Sequence, residues 1–140
     1  MSAMRWETFA HESDIGVRGF GSTLAAAFSG AATAMTAVIC DPTRVVARTA
    51  VSIACTAPDQ ELLLVDWLNA LVYEMATRRM LFSRFEVTIE DRLLRAKAWG
   101  EPVDVMQHQP AAEVKGVSFC ELSVRQNPEG EWLAQCVVDV

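Results

Sequence analysis

Two stretches with helical hydrophobic periodicity separate runs in which apolar and polar residues alternate. In the first stretch, Leu24 to Val38, apolar residues recur at the i, i+3, i+4 and i+7 positions of one helix face. The segment Gly21–Thr23 supplies N-cap side chains, and Asp41, followed by proline, ends the helix. Gly30 lies in mid-helix, where glycine costs about 1 kcal/mol relative to alanine, so we expect a close packing contact there.

The second helical stretch is marked at both ends. Pro58 suits the first position of a helix, and Asp59 and Glu61 lie in the first turn, where the helix dipole favours anions. Arg78 and Arg79 complement the negative end of the dipole. The apolar stripe between these ends consists of Leu64, Trp67, Leu68, Leu71 and Met75.

The other apolar residues follow a period of two, which is typical of half-buried strands. Asn127–Gly130 is a turn cluster that joins the last two strands into a hairpin. Helices placed between hairpin-like strand runs predict one α+β domain over residues 1–140, two-layered, with a mainly antiparallel sheet and two principal helices. The predicted strands are Arg5–Ala10, Val17–Phe20, Val45–Cys55, Phe85–Ile89, Leu93–Trp99, Val117–Arg125 and Trp132–Asp139.

Composition narrows the class of function. The chain has 140 residues, 51% of them hydrophobic, which is enough for one globular core. Its formal net charge is −6 and its basic residues form no cluster in the sequence, so direct, high-affinity nucleic-acid binding is not expected. No signal peptide and no apolar run of about 20 residues is evident, so we expect a cytoplasmic protein without a membrane span. The sequence does not predict the oligomeric state.

The four cysteines are far apart. Cys40, Cys55, Cys120 and Cys136 form no Cys-x-x-Cys pair and lie among apolar residues. This spacing fits neither a zinc site nor a disulfide framework, so we expect buried thiols in a reducing compartment. Cys120 could serve as a nucleophile, but a buried strand cysteine is the favoured interpretation.

Three carboxylates could form a cation site if the two ends of the chain meet. Asp14 lies in a predicted polar loop, His11–Gly16, between two predicted strands. Asp139 and the terminal carboxylate of Val140 are two adjacent anions at the end of the last strand. Carboxylate oxygens suit Ca²⁺, Mg²⁺ and Mn²⁺. The alternatives are an ordinary turn at Asp14 and a solvated terminus.

A second group of polar residues follows Trp99 in the sequence. His108 could form an acid/base pair with Glu101 or Asp104. Lys115 could contact an anionic partner or a phosphate. The residues alone favour a solvated loop over Glu101–Ala112, which contains two prolines.

Several blocks of the chain, in order and with matching spacing, resemble the archease family from His11 to Val140. Each block is short, but six in the same order form a specific signal. The blocks are His11–Gly16, Thr23–Phe28, Leu63–Leu71, Gly100-Glu101 with His108, Glu113–Val117 and Asp139-Val140.

The resemblance implies a two-layer α+β fold and a function. Members of this family are non-enzymatic activators of the RtcB-type RNA ligase of tRNA splicing and RNA repair, and they promote guanylylation and repeated turnover of the ligase. The resemblance also implies a divalent cation, Ca²⁺ before Mg²⁺ or Mn²⁺, held by Asp14, Asp139 and Val140. It makes four further residues candidates for partner contact or another functional role: His11, Glu101, His108 and Lys115.

The chain departs from the family pattern at two places. Glu12-Ser13 stand where Thr-Ala is common, and Gly116–Cys120 stand where Ala-Val-Thr-Tyr-His is usual. The second departure bears on partner specificity. Two other functions remain open: a chaperone-like protein-binding module, and a small metal-dependent hydrolase with Asp14 and Asp139 as ligands and His108 as base.

Overall fold

A computed structural model describes residues 4–140. Over these described residues, the chain forms seven strands, two long helices, one short helix and a one-turn 3-10 helix at Pro42–Arg44. In chain order the elements are β1 (Arg5–His11), β2 (Asp14–Gly21), α1 (Leu24–Ile39), β3 (Thr49–Thr56), α2 (Gln60–Arg78), β4 (Met80–Glu90), β5 (Leu93–Pro102), α3 (Val105–His108), β6 (Gly116–Gln126) and β7 (Trp132–Asp139).

Capping side chains stabilise the N-terminal ends of both long helices. Thr23 is the N-cap of α1, and its hydroxyl accepts a hydrogen bond from the N–H of Ala26 at 3.0 Å. Asp59 is the N-cap of α2 and accepts from the N–H of Leu62 at 2.8 Å. The prediction that Pro58 occupies the first helical position is therefore wrong, because Asp59 is the N-cap and the helix begins at Gln60, two residues later. Arg79 ends α2 in the left-handed conformation, φ 54°.

The strands divide between two sheets in which every neighbouring pair is antiparallel. The first sheet has the order β1-β2-β7-β6 and the second the order β3-β5-β4. The α+β class with two principal helices is confirmed, whereas the division into two sheets was not predicted. β3 begins at Thr49 and not at Val45. The segment before it leaves the sheet, because Val46 and Arg48 donate hydrogen bonds to Glu101.

Helix α1 joins the two sheets. It packs against β1, β2 and β7 of the first sheet and against β4 of the second, while α2 packs mainly on β6 and on the second sheet. Trp67 of α2 is fully buried in the shared core, its indole Nε1–H donates to the carbonyl oxygen of Phe28 at 3.0 Å, and Phe85 packs edge-on at 6.0 Å. The predicted stripe of α2 therefore faces the core.

Glycines allow α1 to lie directly on β2. A Cβ added to Gly30 would come within 2.8 Å of the carbonyl oxygen of Arg5 and 3.0 Å of the Cα of Gly19. A Cβ added to Gly19 would collide with the backbone of Ala27 and Ala31. The close contact expected at Gly30 is confirmed. In the part of the chain that the structure describes, no helix has the length and hydrophobicity that a membrane crossing requires.

Candidate functional site

The β1–β2 hairpin carries the first two candidate residues. His11 is the last residue of β1 and pairs with Asp14, the first residue of β2, so only Glu12 and Ser13 form the turn. Glu12 adopts a positive φ of 55°. The prediction of a polar loop over His11–Gly16 is wrong, because the strands extend into it from both sides.

Strand β7 brings the end of the chain to this hairpin. It pairs with β2 so that Ile15 lies opposite Val138. The N–H of Val140 then donates to Oδ1 of Asp14 at 3.4 Å. Asp14 is half-buried, whereas Asp139 and Val140 are exposed. The fold therefore brings Asp14 against the last residue of the chain.

Lys115 lies at the same end of the first sheet. Its N–H donates to the carbonyl oxygen of Asp139 at 2.8 Å, and the next residue, Gly116, pairs with Asp139 in the sheet. Lys115 is exposed. His11, Asp14, Lys115, Asp139 and Val140 thus occupy one end of one sheet.

The donors at this end suit a hard cation. Asp14, Asp139 and the terminal carboxylate of Val140 offer only oxygen atoms, which Ca²⁺ and Mg²⁺ prefer. Within residues 4–140, no three side chains of the types His, Cys, Asp and Glu lie close enough to hold a metal ion. The main-chain terminus of Val140, whose N–H donates to Asp14, offers one further carboxylate. The donor set fits the cation that the resemblance implies.

Glu101 and His108 form a separate, buried cluster. They are 5% and 2% exposed, and His108 Nε2 lies 2.9 Å from Oε2 of Glu101. The predicted solvated loop over Glu101–Ala112 is therefore wrong at its most polar residues. Glu101 lies within strand β5, near its end. His108 is the last residue of the short helix α3, and its imidazole is buried.

A backbone amide fixes the tautomer of His108. The N–H of Asp104 donates to Nδ1 of the imidazole at 2.9 Å, so Nδ1 carries no proton in this arrangement. Nε2 then carries the hydrogen and donates to Glu101. The Asp104 carboxylate is occupied elsewhere, because it accepts from the N–H groups of Met106 and Gln107 as the N-cap of α3. Of the two predicted pairings of His108, the structure forms the one with Glu101.

Glu101 receives hydrogen bonds from two residues that are distant in sequence and from the nearby Gln107. Its Oε2 accepts from the N–H of Val46 at 2.8 Å and from Nε2 of Gln107 at 2.9 Å, and its Oε1 accepts from Nε of Arg48 at 3.1 Å. The N–H of Val46 first, and then the His108 side chain, lower the pKa of Glu101 to about 2. The carboxylate is therefore ionised over the whole physiological range.

This cluster fastens the segment before β3 to α3. Sequence reasoning missed Val46, Arg48 and Gln107, because alternation placed the first two in a strand and no pattern marks a glutamine as a partner of Glu101. Gln107 Nε2 also donates to the carbonyl oxygen of Arg44 at 3.2 Å. With both oxygens of Glu101 and both nitrogens of His108 engaged, the pair is a structural anchor.

The cysteines are all free thiols, but they differ in exposure. Cys40 and Cys136 are buried, as expected, and Cys55 is half-buried. Cys120 is exposed, so the expectation of a buried strand cysteine is wrong there. The cause is an irregularity of β6 between Ser118 and Ser123, where the register with β7 shifts and Cys120 leaves the regular pleat.

Comparison with known proteins identifies the family. A model described as the Archease protein family (MTH1598/TM1083) matches residues 6–140. The chain belongs to the archease family. The archease of Pyrococcus furiosus is 35% identical, with 97% of this chain and 99% of the relative covered. The archease of Methanosarcina acetivorans is 36% identical, with 97% and 96% covered.

Solved archease-like structures share the fold. The solution structure of Methanobacterium thermoautotrophicum protein 1598 aligns with a TM-score of 0.83 and 30% identity over 100% of both chains. A crystal structure from Thermotoga maritima, described as an archease and possible chaperone, aligns with a TM-score of 0.59 over 96% of both chains. Its identity is 13%, so that likeness concerns the fold alone.

Proposed function

We propose that this archease is a non-enzymatic, divalent-cation-binding activator of an RtcB-type RNA ligase, acting in the cytoplasm in tRNA splicing or RNA repair. It would promote guanylylation of the ligase and allow repeated turnover. The observation that carries the proposal is the contact between the Asp14 carboxylate and the main chain of Val140, 3.4 Å apart, in a chain that belongs to the archease family.

The cation would be held by Asp14, Asp139 and the terminal carboxylate of Val140. Ca²⁺ is the first choice, with Mg²⁺ and Mn²⁺ as alternatives, because all donors are oxygen atoms. When bound, it supplies a positive charge that can bridge to the ligase or help to organise its nucleotide site. Asp14 is held by strand β2 on one side and by Val140 on the other, so the protein presents this carboxylate in one position.

Two residues beside the cation site, the exposed Lys115 and the half-buried His11, are proposed as contacts for the ligase. Lys115 is anchored through its backbone to Asp139. An acidic body with a formal net charge of −6 suits a partner that binds RNA through a basic surface, because complementary charge speeds the encounter of two proteins.

In the hydrolase alternative, the proposed base His108 has no access to a substrate. His108 is 2% exposed, Nδ1 accepts from Asp104 and Nε2 meets Glu101, so no nitrogen faces a substrate. A general base must reach the proton that it removes, either directly or through one water molecule. We therefore assign Glu101 and His108 to the stability of the fold.

The test is ligase guanylylation and RNA joining with excess RNA, a cognate RtcB-type ligase, and a small amount of this chain. We expect stimulation by the wild type and its loss with Asp14→Ala. Asp91→Ala, a charge-matched change in the turn between β4 and β5, should leave stimulation unchanged. Circular dichroism and thermal unfolding establish that both variants fold.

Two results would contradict the proposal. Full stimulation by a folded Asp14→Ala variant would remove the role of the cation. No stimulation by the wild type, together with protection of unrelated proteins from thermal aggregation without Ca²⁺, would favour the chaperone-like module and would implicate Gly116–Cys120.

A further inference from the structure

The outer face of the second sheet gathers cations that are scattered in the sequence. Arg95 and Lys97 project from β5, the central strand, and Arg84 projects from the neighbouring strand β4. All three are exposed. Register places Arg84 opposite Trp99. An open depression of about 690 Å³, lined by Arg95, Lys97 and residues of β3 and β4, covers this face.

Two of the cations on this face form no ion pair in the part of the chain that the structure describes. The carboxylates on the same face are Glu86 and Glu90 of β4. Glu86 is engaged, because its Oε1 accepts from Nε1 of Trp99 at 2.6 Å and from a guanidinium N–H of Arg84 at 2.9 Å. Within residues 4–140, Arg95 and Lys97 form no ion pair. Three cations against two carboxylates make this face locally positive in a chain whose net charge is −6.

Trp99 and Arg84 form a planar pair at one end of the same face. The Arg84 guanidinium lies 5.2 Å from the centroid of the indole ring, and the hydrogen bond to Glu86 fixes the ring. Arg95, Lys97 and Trp99 alternate along β5 and share one face, with a spacing of about 7 Å between successive residues. The face thus presents the cations of Arg95 and Lys97 in line with Trp99, whose ring is covered by the guanidinium of Arg84 from the neighbouring strand.

We propose that this face binds single-stranded RNA, with phosphates on Arg95 and Lys97 and a base stacked against the Trp99–Arg84 pair. Proteins that bind single strands combine a positive groove with aromatic and guanidinium planes on which bases stack. The small side chains of Ser52 and Ala54 keep the β3 side of the depression low. An acidic protein segment would contact the cations but would not stack on the Trp99–Arg84 pair. Single-stranded RNA would contact both, so it is the favoured ligand.

The binding is weak and depends on salt. High affinity is not expected, because the cations are dispersed in the sequence and the fold brings only three of them to this face. Neutralising the two phosphates on Arg95 and Lys97 gives a slope of roughly −1.4 in a plot of log K against log salt concentration, since each phosphate of a single strand contributes about 0.7. Charges elsewhere on the acidic body are screened beyond about 8 Å at physiological salt.

The experiment is a fluorescence anisotropy titration of a fluorescein-labelled 12-nucleotide single-stranded RNA with the full chain at several salt concentrations. The test variant is Arg95→Glu combined with Lys97→Glu, and Trp99→Leu tests the stacking pair separately. The matched control is Arg78→Glu combined with Arg125→Glu, which changes the net charge equally on α2 and β6. Thermal unfolding of each variant establishes folding.

We expect saturable binding by the wild type, at least tenfold weaker binding by the test variant, and less than a threefold change in the control. Equal losses in the test and control variants, or no binding by the wild type at low salt, would overturn the proposal. Competition by short polyglutamate as effective as that by unlabelled RNA would also overturn it and would favour an acidic protein partner. The assay uses this chain alone, so its failure is separate from a failure of ligase stimulation.

Discussion

The N–H of Val140 lies 3.4 Å from Oδ1 of Asp14, although 126 positions separate the two residues in the chain. The cause is the strand order of the first sheet, which places β7 beside β2 and so carries the last residue to the start of the hairpin. A side-chain carboxylate and a chain terminus thereby become neighbours without a dedicated loop.

Adding one glycine after Val140 should weaken Ca²⁺ binding. The extension moves the terminal carboxylate by one residue, about 3.4 Å in an extended chain, and replaces it with a neutral amide at Val140. We expect at least a tenfold loss of affinity by isothermal titration calorimetry. A glycine added before Met1 is the control. Equal affinities of the extended and native chains would show that this carboxylate is not a ligand.

Substituting the two histidines should have very different effects on stability. His108→Ala removes one hydrogen-bond donor to a buried carboxylate and leaves the N–H of Asp104 without its acceptor, and we expect a loss of about 3 kcal/mol in the free energy of unfolding. His11→Ala, at the hairpin end, should cost less than about 0.5 kcal/mol. Urea unfolding measures both. Similar losses would contradict the assignment of His108 as an anchor.

Stability should fall in acid through Glu101. Its pKa is about 2 in the folded chain, against an ordinary value of 4.5, so the folded state binds the proton less tightly than the unfolded state. The resulting stabilisation is complete above pH 4.5 and is lost as the pH falls from there towards 2. Urea unfolding from pH 7 to pH 2 should show this loss.

Glu101→Gln serves as the comparison for the acid titration. It should unfold more easily at pH 7 and depend less on pH between 4.5 and 2, because the shifted group is gone. Parallel curves for the wild type and the variant over this interval would show that Glu101 does not carry the acid sensitivity.

Alanine should be tolerated at one glycine and not at another. Gly19→Ala forces a methyl group onto the backbone of Ala27 and Ala31, so α1 must move from β2, and we expect a loss of about 3 kcal/mol or failure to fold. A Cβ at Gly116 meets no atom within 4 Å, and Gly116→Ala should change stability by less than about 1 kcal/mol. Thermal unfolding compares the two, and equal effects would contradict the close contact of α1 with β2.

One of the four thiols should react fast. Cys120 is exposed, while burial raises the pKa of Cys136 to about 12 and that of Cys55 to about 11, which leaves almost no thiolate on either at pH 8. Titration with Ellman's reagent should show one rapid thiol in the native chain and four after unfolding. Cys120→Ser should remove the rapid phase, and its persistence would place the reactive thiol elsewhere.

The sequence predicted the parts of the fold that local periodicity encodes. Both long helices and all seven strands were expected near their observed positions, because the apolar spacing of 3.6 or 2 is a local property. The division into two sheets depends on which strands pair, and spacing along the chain does not record this. The contact of Asp14 with Val140 belongs to the same class and became an expectation through the family resemblance.

The Glu101 cluster shows a second limit of local patterns. The candidates Glu101 and His108 were visible as polar residues, but their burial was not, because it depends on donors from Val46, Arg48 and Gln107. A polar segment with two prolines resembles a solvated loop until such long-range partners are known. The same holds for Cys120, whose exposure follows from a shift of strand register.

Because α1 forms part of the core of both sheets, neither sheet can lose its structure while the other keeps a complete interior. Unfolding should therefore occur as one cooperative transition, and the slowest amide hydrogens to exchange should come from both sheets with a common free energy of opening. The end of the first sheet that carries Asp14 and the outer face of the second that carries Lys97 would then be lost together at a single denaturant concentration.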